Sequence, residues 1–238
     1  MSSGQLTFDL PLRPALGASD FLIGPSNRAA VDMIDLWPDW PQASVAVVAP
    51  SHAGKTHLAN VWLLRSGAAR LNAGALQEAD VPPATAHGAV LVEDLHAGIA
   101  DERALFHLLN AVREHKLTML LTSRTPPGEL EVHLPDLRSR LRALPVVAIA
   151  PPDEVLLRAV LVKLFIDRQL TVEPGLIGYL ANRMERSMEA AATLVAEIDR
   201  AAMVSHRKVT RALAANVLEG LAKATDSGTS DRDSPASC

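Results

Sequence analysis

The chain has 238 residues, 48% of them hydrophobic, and a formal net charge of −4. That length suits one large domain, or a large and a small one. The acidic balance argues against a general nucleic-acid binder, which is usually basic. The single cysteine, Cys238, rules out a disulfide within the chain; with neither a secretory leader nor a membrane-length apolar run, a cytoplasmic protein is expected.

Residues 1–20 are rich in Ser, Gly and Pro and read as a flexible segment. A helix is expected from Ser26, which would cap it. Strand-like runs then alternate with helical ones. Strands are predicted at 44–49, 68–72, 88–93, 117–122 and 145–150, and helices near 55–65, 74–78, 101–115 and 135–142. Such alternation predicts an α/β domain over 21–150, with a parallel sheet covered by helices. After Pro151-Pro152 the strands stop. Asp153 can cap a helix to about Arg168, Pro174 opens another to about Met184, and two more are predicted at 187–205 and 210–222. Leu156, Val160, Leu161 and Leu164 have the spacing of a buried helix face. A small all-helical domain is therefore expected over 151–223. A polar, Ser-rich disordered tail is expected over 224–238.

One loop carries the strongest chemical signal. Ala49-Pro50-Ser51-His52-Ala53-Gly54-Lys55-Thr56 follows the apolar run Val45-Ala46-Val47-Val48 and precedes a helical stretch beginning His57-Leu58. This is a phosphate-binding loop with Ala49 in place of its first glycine. Backbone N–H groups at the helix start suit nucleotide phosphates, Lys55 suits the outer phosphates, and Thr56 suits magnesium. His52 and His57 flank the loop and are candidates to touch phosphate. About 40 residues on, the strand Ala89-Val90-Leu91-Val92 ends in Glu93-Asp94. One carboxylate there can hold magnesium and the other can orient an attacking water. Thr122 and Ser123 end another strand and are candidate contacts to an outer phosphate. Arg138, Arg140 and Arg142 alternate along a predicted helix and cannot share one face. No histidine or cysteine has metal-ligand spacing.

Together these segments resemble the AAA+ ATPase region of the DnaA replication-initiator family, and more closely its short regulators of the Hda (HdaA) type. The likeness spans roughly residues 5–221. Phe21-Leu22-Ile23-Gly24-Pro25-Ser26-Asn27-Arg28 resembles the segment around the adenine, which implies that Ile23, Gly24 and Asn27 contact the nucleotide. Gly54-Lys55-Thr56-His57-Leu58 resembles Walker A, and Val92-Glu93-Asp94 resembles Walker B. Leu137-Arg138-Ser139-Arg140-Leu141 resembles the arginine-finger motif, with Arg140 as the finger. Pro151-Pro152-Asp153 marks the start of the family's helical lid, in which Tyr179-Leu180-Ala181-Asn182 also falls.

An initiator would continue into a helix-turn-helix domain, for which about 17 residues after Leu221 are too few. Sequence-specific DNA binding by the chain itself is therefore not expected. Gln5-Leu6-Thr7-Phe8-Asp9-Leu10 resembles the peptide by which Hda binds the sliding clamp, the polymerase beta subunit. Gln5 would sit on a polar rim, and Leu6, Phe8 and Leu10 are the apolar contacts.

Four departures cluster at the catalytic motifs. They are Ala49, Glu93 at the magnesium-site Asp, Arg124 after the sensor-1 strand, and Glu189 at the position taken for the sensor-2 Arg. Neither Arg183 nor Arg186 falls at that position. The resemblance implies ADP or ATP as ligand, with magnesium through Thr56, Glu93 and Asp94. It implies the clamp and DnaA as partners, and a negative regulator acting through Arg140 in trans; self-association into a dimer or oligomer also fits. The rival readings are an active ATPase serving as helicase loader or transposase helper, and a scaffold without nucleotide.

Overall fold

The computed structural model describes residues 12–13, 21–205 and 208–229. They fall into two compact units, one running to Pro152 and the other starting at Asp153. Among the described residues no helix is long and apolar enough to cross a membrane.

The first unit contains a five-stranded sheet. In chain order, strand β1 (Leu12–Arg13) pairs antiparallel with β2 (Phe21–Leu22), so part of the segment read as flexible is a short ladder. Helix α1 (Arg28–Asp35) leads to β3 (Ser44–Val48), α2 (Lys55–Ser66) and β4 (Ala69–Asn72). Then come α3 (Val81–Thr85), β5 (Ala89–Glu93), α4 (Glu102–Glu114), β6 (Thr118–Ser123), α5 (Pro135–Arg142) and β7 (Val146–Ala148). The sheet order is β4-β5-β6-β3-β7, with every neighbouring pair parallel.

Alternate strand residues face opposite sides, as the two-residue period of a strand requires. Val45, Val47, Leu91 and Leu120 join one apolar cluster with α1 and α2. Ala46, Val90, Val92, Met119 and Leu121 join the other with α4 and α5. Continuous apolar runs in β3, β5 and β6 thus reflect burial on both faces. Three tryptophans, all the chain has, lock α1 to α2. Trp40 stacks on Trp62 at 5.5 Å, and Trp37 meets Trp62 edge-on at 6.3 Å.

Three expectations need correction here. The helix expected at 74–78 is absent: residues 74–77 are not helical, and a 3-10 turn at Glu78–Asp80 and α3 follow instead. Ala73 and Leu76 are buried below that turn. Pro82, lying in the first turn of α3, lacks an N–H where helices leave theirs unpaired. Second, Ser26 does not cap α1. Asn27 takes the cap position, with its side chain hydrogen-bonded backwards, to Gly24 N–H (2.9 Å) and to the carbonyl of Leu22 (2.9 Å). Third, the last helix runs to Thr229, into the stretch read as tail.

The second unit is all-helical: α6 (Glu154–Asp167), α7 (Pro174–Ala181), α8 (Met188–Ser205) and α9 (Arg211–Thr229). Asp153 caps α6, accepting from Leu156 N–H at 2.7 Å. Its core holds Leu157, Leu161, Phe165, Leu180, Leu194 and Ile198, with Val160 and Leu164 packed at the margin.

Candidate functional site

The loop after β3 lies one strand in from the sheet edge, where the topology switches direction. Strand β3 is followed in the chain by β4 at one edge, while β7 lies on its other side. In open α/β sheets such a crevice, at the carboxyl ends of the strands, is where ligands bind. The ends of β3, β5 and β6 bring the phosphate loop, Glu93-Asp94 and Thr122-Ser123 together.

Ala49 is buried in the apolar cluster beneath α2, and its N–H donates to the Ser123 carbonyl at 3.1 Å. Its backbone is outside the left-handed region, which His52 (φ 61) and Gly54 (φ 95) adopt. Alanine is therefore unstrained at that position, and its methyl adds packing. Gly54 is different: it is the N-cap of α2 at a φ that favours glycine. No side chain caps α2 and its first turn has no acidic residue, so its first N–H groups remain open to an anion. These features fit a phosphate group.

Pro50, His52 and Thr56 are exposed, Ser51 is half-buried, and Ala53 is buried. Burial holds the His57 imidazole below its ordinary pKa, which favours its neutral form. Ile23 is buried, and both polar side-chain groups of Asn27 hold the 22–27 turn together.

The carboxylates are engaged. Lys55 Nζ lies 3.1 Å from Asp94 Oδ1. Glu93, at the end of β5, pairs with Arg70 on the adjacent edge strand β4. Asp94 adopts φ 59, and its N–H donates to the Thr122 hydroxyl at 3.2 Å. Ser123 Oγ accepts from Thr125 N–H. The two hydroxyls expected at an outer phosphate thus brace the strand ends. Of the three residues expected at magnesium, Thr56 is exposed, Glu93 pairs with Arg70 and Asp94 with Lys55. Arg124 is exposed. Nearby His96 has its Nδ1 4.0 Å from Asp94. Desolvation first, then the charges of Arg124 and Lys55, lower its pKa; Asp94 opposes them.

Arg140 lies on α5. Leu137 and Leu141 are the buried face of that helix, while Arg138 and Arg142 are exposed. The Arg140 guanidinium carbon sits 5.8 Å from the Phe106 ring centroid, on α4. Among the described residues no carboxylate lies within 4.0 Å of it. Glu102, in the first turn of α4, accepts from the N–H groups of His133 and Leu134 at the start of α5. Burial alone would raise the Glu102 pKa. Those two hydrogen bonds and the His133 ring outweigh it, so the carboxyl titrates below its ordinary value of 4.5. A lowered folded pKa adds stability above the unfolded value and loses it as pH falls through the folded one. The Glu102→Ala variant is therefore expected to melt below the wild type at pH 7, with the gap shrinking as the pH is taken well below the ordinary value of 4.5. A constant gap across that range in thermal melts would contradict this. Arg70, His96, Glu102 and Phe106 carry no signal in the sequence, because their partners are remote in the chain.

In the helical unit, Glu189 occupies the first turn of α8, where a carboxylate complements the helix dipole. Ser187 caps that helix, accepting from Ala190 N–H at 3.0 Å, and the exposed Arg186 precedes it. Arg183 and Arg211 each lie 4.4 Å from the Tyr179 ring. Gln5, Leu6, Phe8 and Leu10 lie outside the described residues.

No family model matches the chain. Over 135 residues it is 28% identical to the chromosomal replication initiator protein DnaA of Cutibacterium acnes. That stretch covers 56% of this chain, and about a quarter (27%) of the relative's length. Among solved structures, domain III of Thermotoga maritima DnaA superposes with a TM-score of 0.70 at 17% identity, over 88% of this chain and 98% of that one. A DnaA bound to AMPPCP and single-stranded DNA gives 0.61 at 18% identity, over 75% of this chain and 62% of that one. A Thermotoga maritima RuvB mutant gives 0.65 at 16%, over 84% and 70%. With its parallel sheet and helical covering, the chain has the DnaA-like AAA+ fold.

Proposed function

We propose that this chain is a negative regulator of replication initiation that acts on a DnaA-type ATPase. It binds the sliding clamp through Gln5, Leu6, Phe8 and Leu10, and holds ADP or ATP at its own phosphate loop. It then offers Arg140 to the ATP of the neighbouring initiator. The observation that carries this reading is the setting of Arg140. The side chain is held against an aromatic ring, has no carboxylate partner among the described residues, and sits on a helix anchored at both ends. A planar guanidinium so presented can donate two parallel hydrogen bonds to charge building on a transferred phosphoryl group.

The chain's own nucleotide has a structural role in this reading. Lys55 must leave Asp94 to reach a phosphate. Asp94→Asn is therefore expected to tighten magnesium-free ADP binding about two- to five-fold, the worth of a half-exposed ion pair. Lys55→Ala should weaken it by at least about ten-fold, through loss of a charged hydrogen bond. Calorimetric titration of the three proteins checks both. Equal affinity of wild type and Asp94→Asn would exclude competition between Asp94 and phosphate.

A second reading, turnover of the chain's own ATP, is favoured by a specific observation. Ala49 and Glu189 each have a local structural reason, so neither marks a broken site by itself. Steady-state hydrolysis by the purified chain decides. Robust turnover without DnaA favours a loader-type ATPase; nucleotide binding without turnover, together with stimulation of DnaA, favours the regulator.

A further inference from the structure

Glu102 and Phe106 stand four residues apart on α4, so they share one helix face. That face meets both ends of α5. At its start, Glu102 accepts from His133 N–H at 2.9 and 3.0 Å and from Leu134 N–H at 2.6 Å. Leu134 is the N-cap of α5, and α5 has no side-chain cap of its own. A carboxylate from another helix thus accepts from the N-cap N–H, one of the donors that a helix start leaves unpaired, with a charge suited to the positive end of the dipole. At the far end, the Phe106 ring lies against the guanidinium of Arg140, in the last turn of α5. Leu137 and Leu141 of the same helix are buried in the core they share with α4.

Packing accounts for Leu137 and Leu141, but it does not require a carboxylate at 102 or an aromatic ring at 106. A core anchor would leave α5 free to tilt about its leucines and would leave the long Arg140 side chain free to choose among rotamers. The cap removes the first freedom, and the cation–π contact removes much of the second. We propose that Glu102 and Phe106 are positioning residues for Arg140, so that α4 sets the direction in which the guanidinium is presented. The proposal rests on Arg140 acting on a partner's nucleotide, as argued above.

The test compares full-length Phe106→Leu, Phe106→Tyr, Glu102→Ala and Arg140→Ala in stimulation of DnaA ATP hydrolysis with DNA-loaded clamp. Phe106→Leu keeps the apolar bulk and removes the ring face. Its maximal stimulation should fall about three- to thirty-fold, the range of a cation–π contact, with the half-saturating concentration and melting temperature nearly unchanged. Phe106→Tyr should restore stimulation. Glu102→Ala should also lower maximal stimulation, together with the lower melting temperature expected above. An independent readout needs no partner: the Arg140 Nε–Hε resonance should be shifted by the ring in the wild type and in Phe106→Tyr, and lose that shift in Phe106→Leu. Full stimulation by Phe106→Leu and Glu102→Ala, with Arg140→Ala inactive, would overturn the positioning role and leave the finger standing. Full stimulation by Arg140→Ala would overturn both, because there would be nothing to position. If Glu102→Ala fails to fold, the Phe106 pair and the resonance still decide.

Discussion

Arg140→Ala is expected to reduce stimulation of DnaA ATP hydrolysis by roughly 10³–10⁵, the range over which a finger supplied in trans acts. The reason is local. As the outer phosphoryl group transfers, negative charge spreads over its equatorial oxygens, and little else in a neighbour's site can match it with planar paired donors. Arg138 and Arg142, both exposed and on a different face of α5, should not substitute. Arg140→Lys should recover little, because an ammonium has neither the fork nor the flat face that lies on Phe106. The variant should keep its melting temperature, since its partner is an aromatic ring and not a buried carboxylate. Clamp binding should also survive, because the clamp peptide is remote in sequence. The measurement is DnaA turnover with loaded clamp, titrated with wild type and variant. Unchanged stimulation by Arg140→Ala would end the regulator reading.

Simultaneous Leu6→Ala and Phe8→Ala substitution is expected to weaken clamp binding by about a thousand-fold. Short peptides of this kind depend on a few apolar anchors, and each buried anchor is worth about 2 kcal/mol or more. Two such losses amount to about 4 kcal/mol, near three decades of affinity. Surface-captured clamp titrated with both proteins reads this directly. The doubly substituted chain should also lose stimulation of DnaA when clamp is limiting, yet recover part of it at high protein concentration, where tethering matters less. Equal clamp affinity for the two proteins would remove the N-terminal peptide from the mechanism.

Much of the architecture was legible in the chain because it depends on local pattern. Val45-Ala46-Val47-Val48, Ala89-Val90-Leu91-Val92 and Met119-Leu120-Leu121 are apolar on both alternating sides, which is what a strand buried on both faces needs. Gly54-Lys55-Thr56 is legible for the same reason, since one left-handed residue must precede the helix that Lys55 opens. The helix expected at 74–78 is displaced along the chain, because Ala73 and Leu76 are pinned by the core and the prolines start a helix later. Ala49 and Glu189 depart from the family pattern. Backbone angle and helix position give each a local role that a pattern does not contain.

By itself the sequence determined the order of elements, the phosphate loop and the helix bearing Arg140, because each of these follows from residues near one another in the chain. The tertiary structure alone decided what those residues meet. Lys55 faces Asp94 across 39 positions, Arg70 faces Glu93 across 23, and Glu102 caps α5 across 31 and 32. Periodicity does not encode such pairings; they arise when strands and helices are packed side by side. They assign Asp94 to Lys55, and Arg140 to a ring on the neighbouring helix.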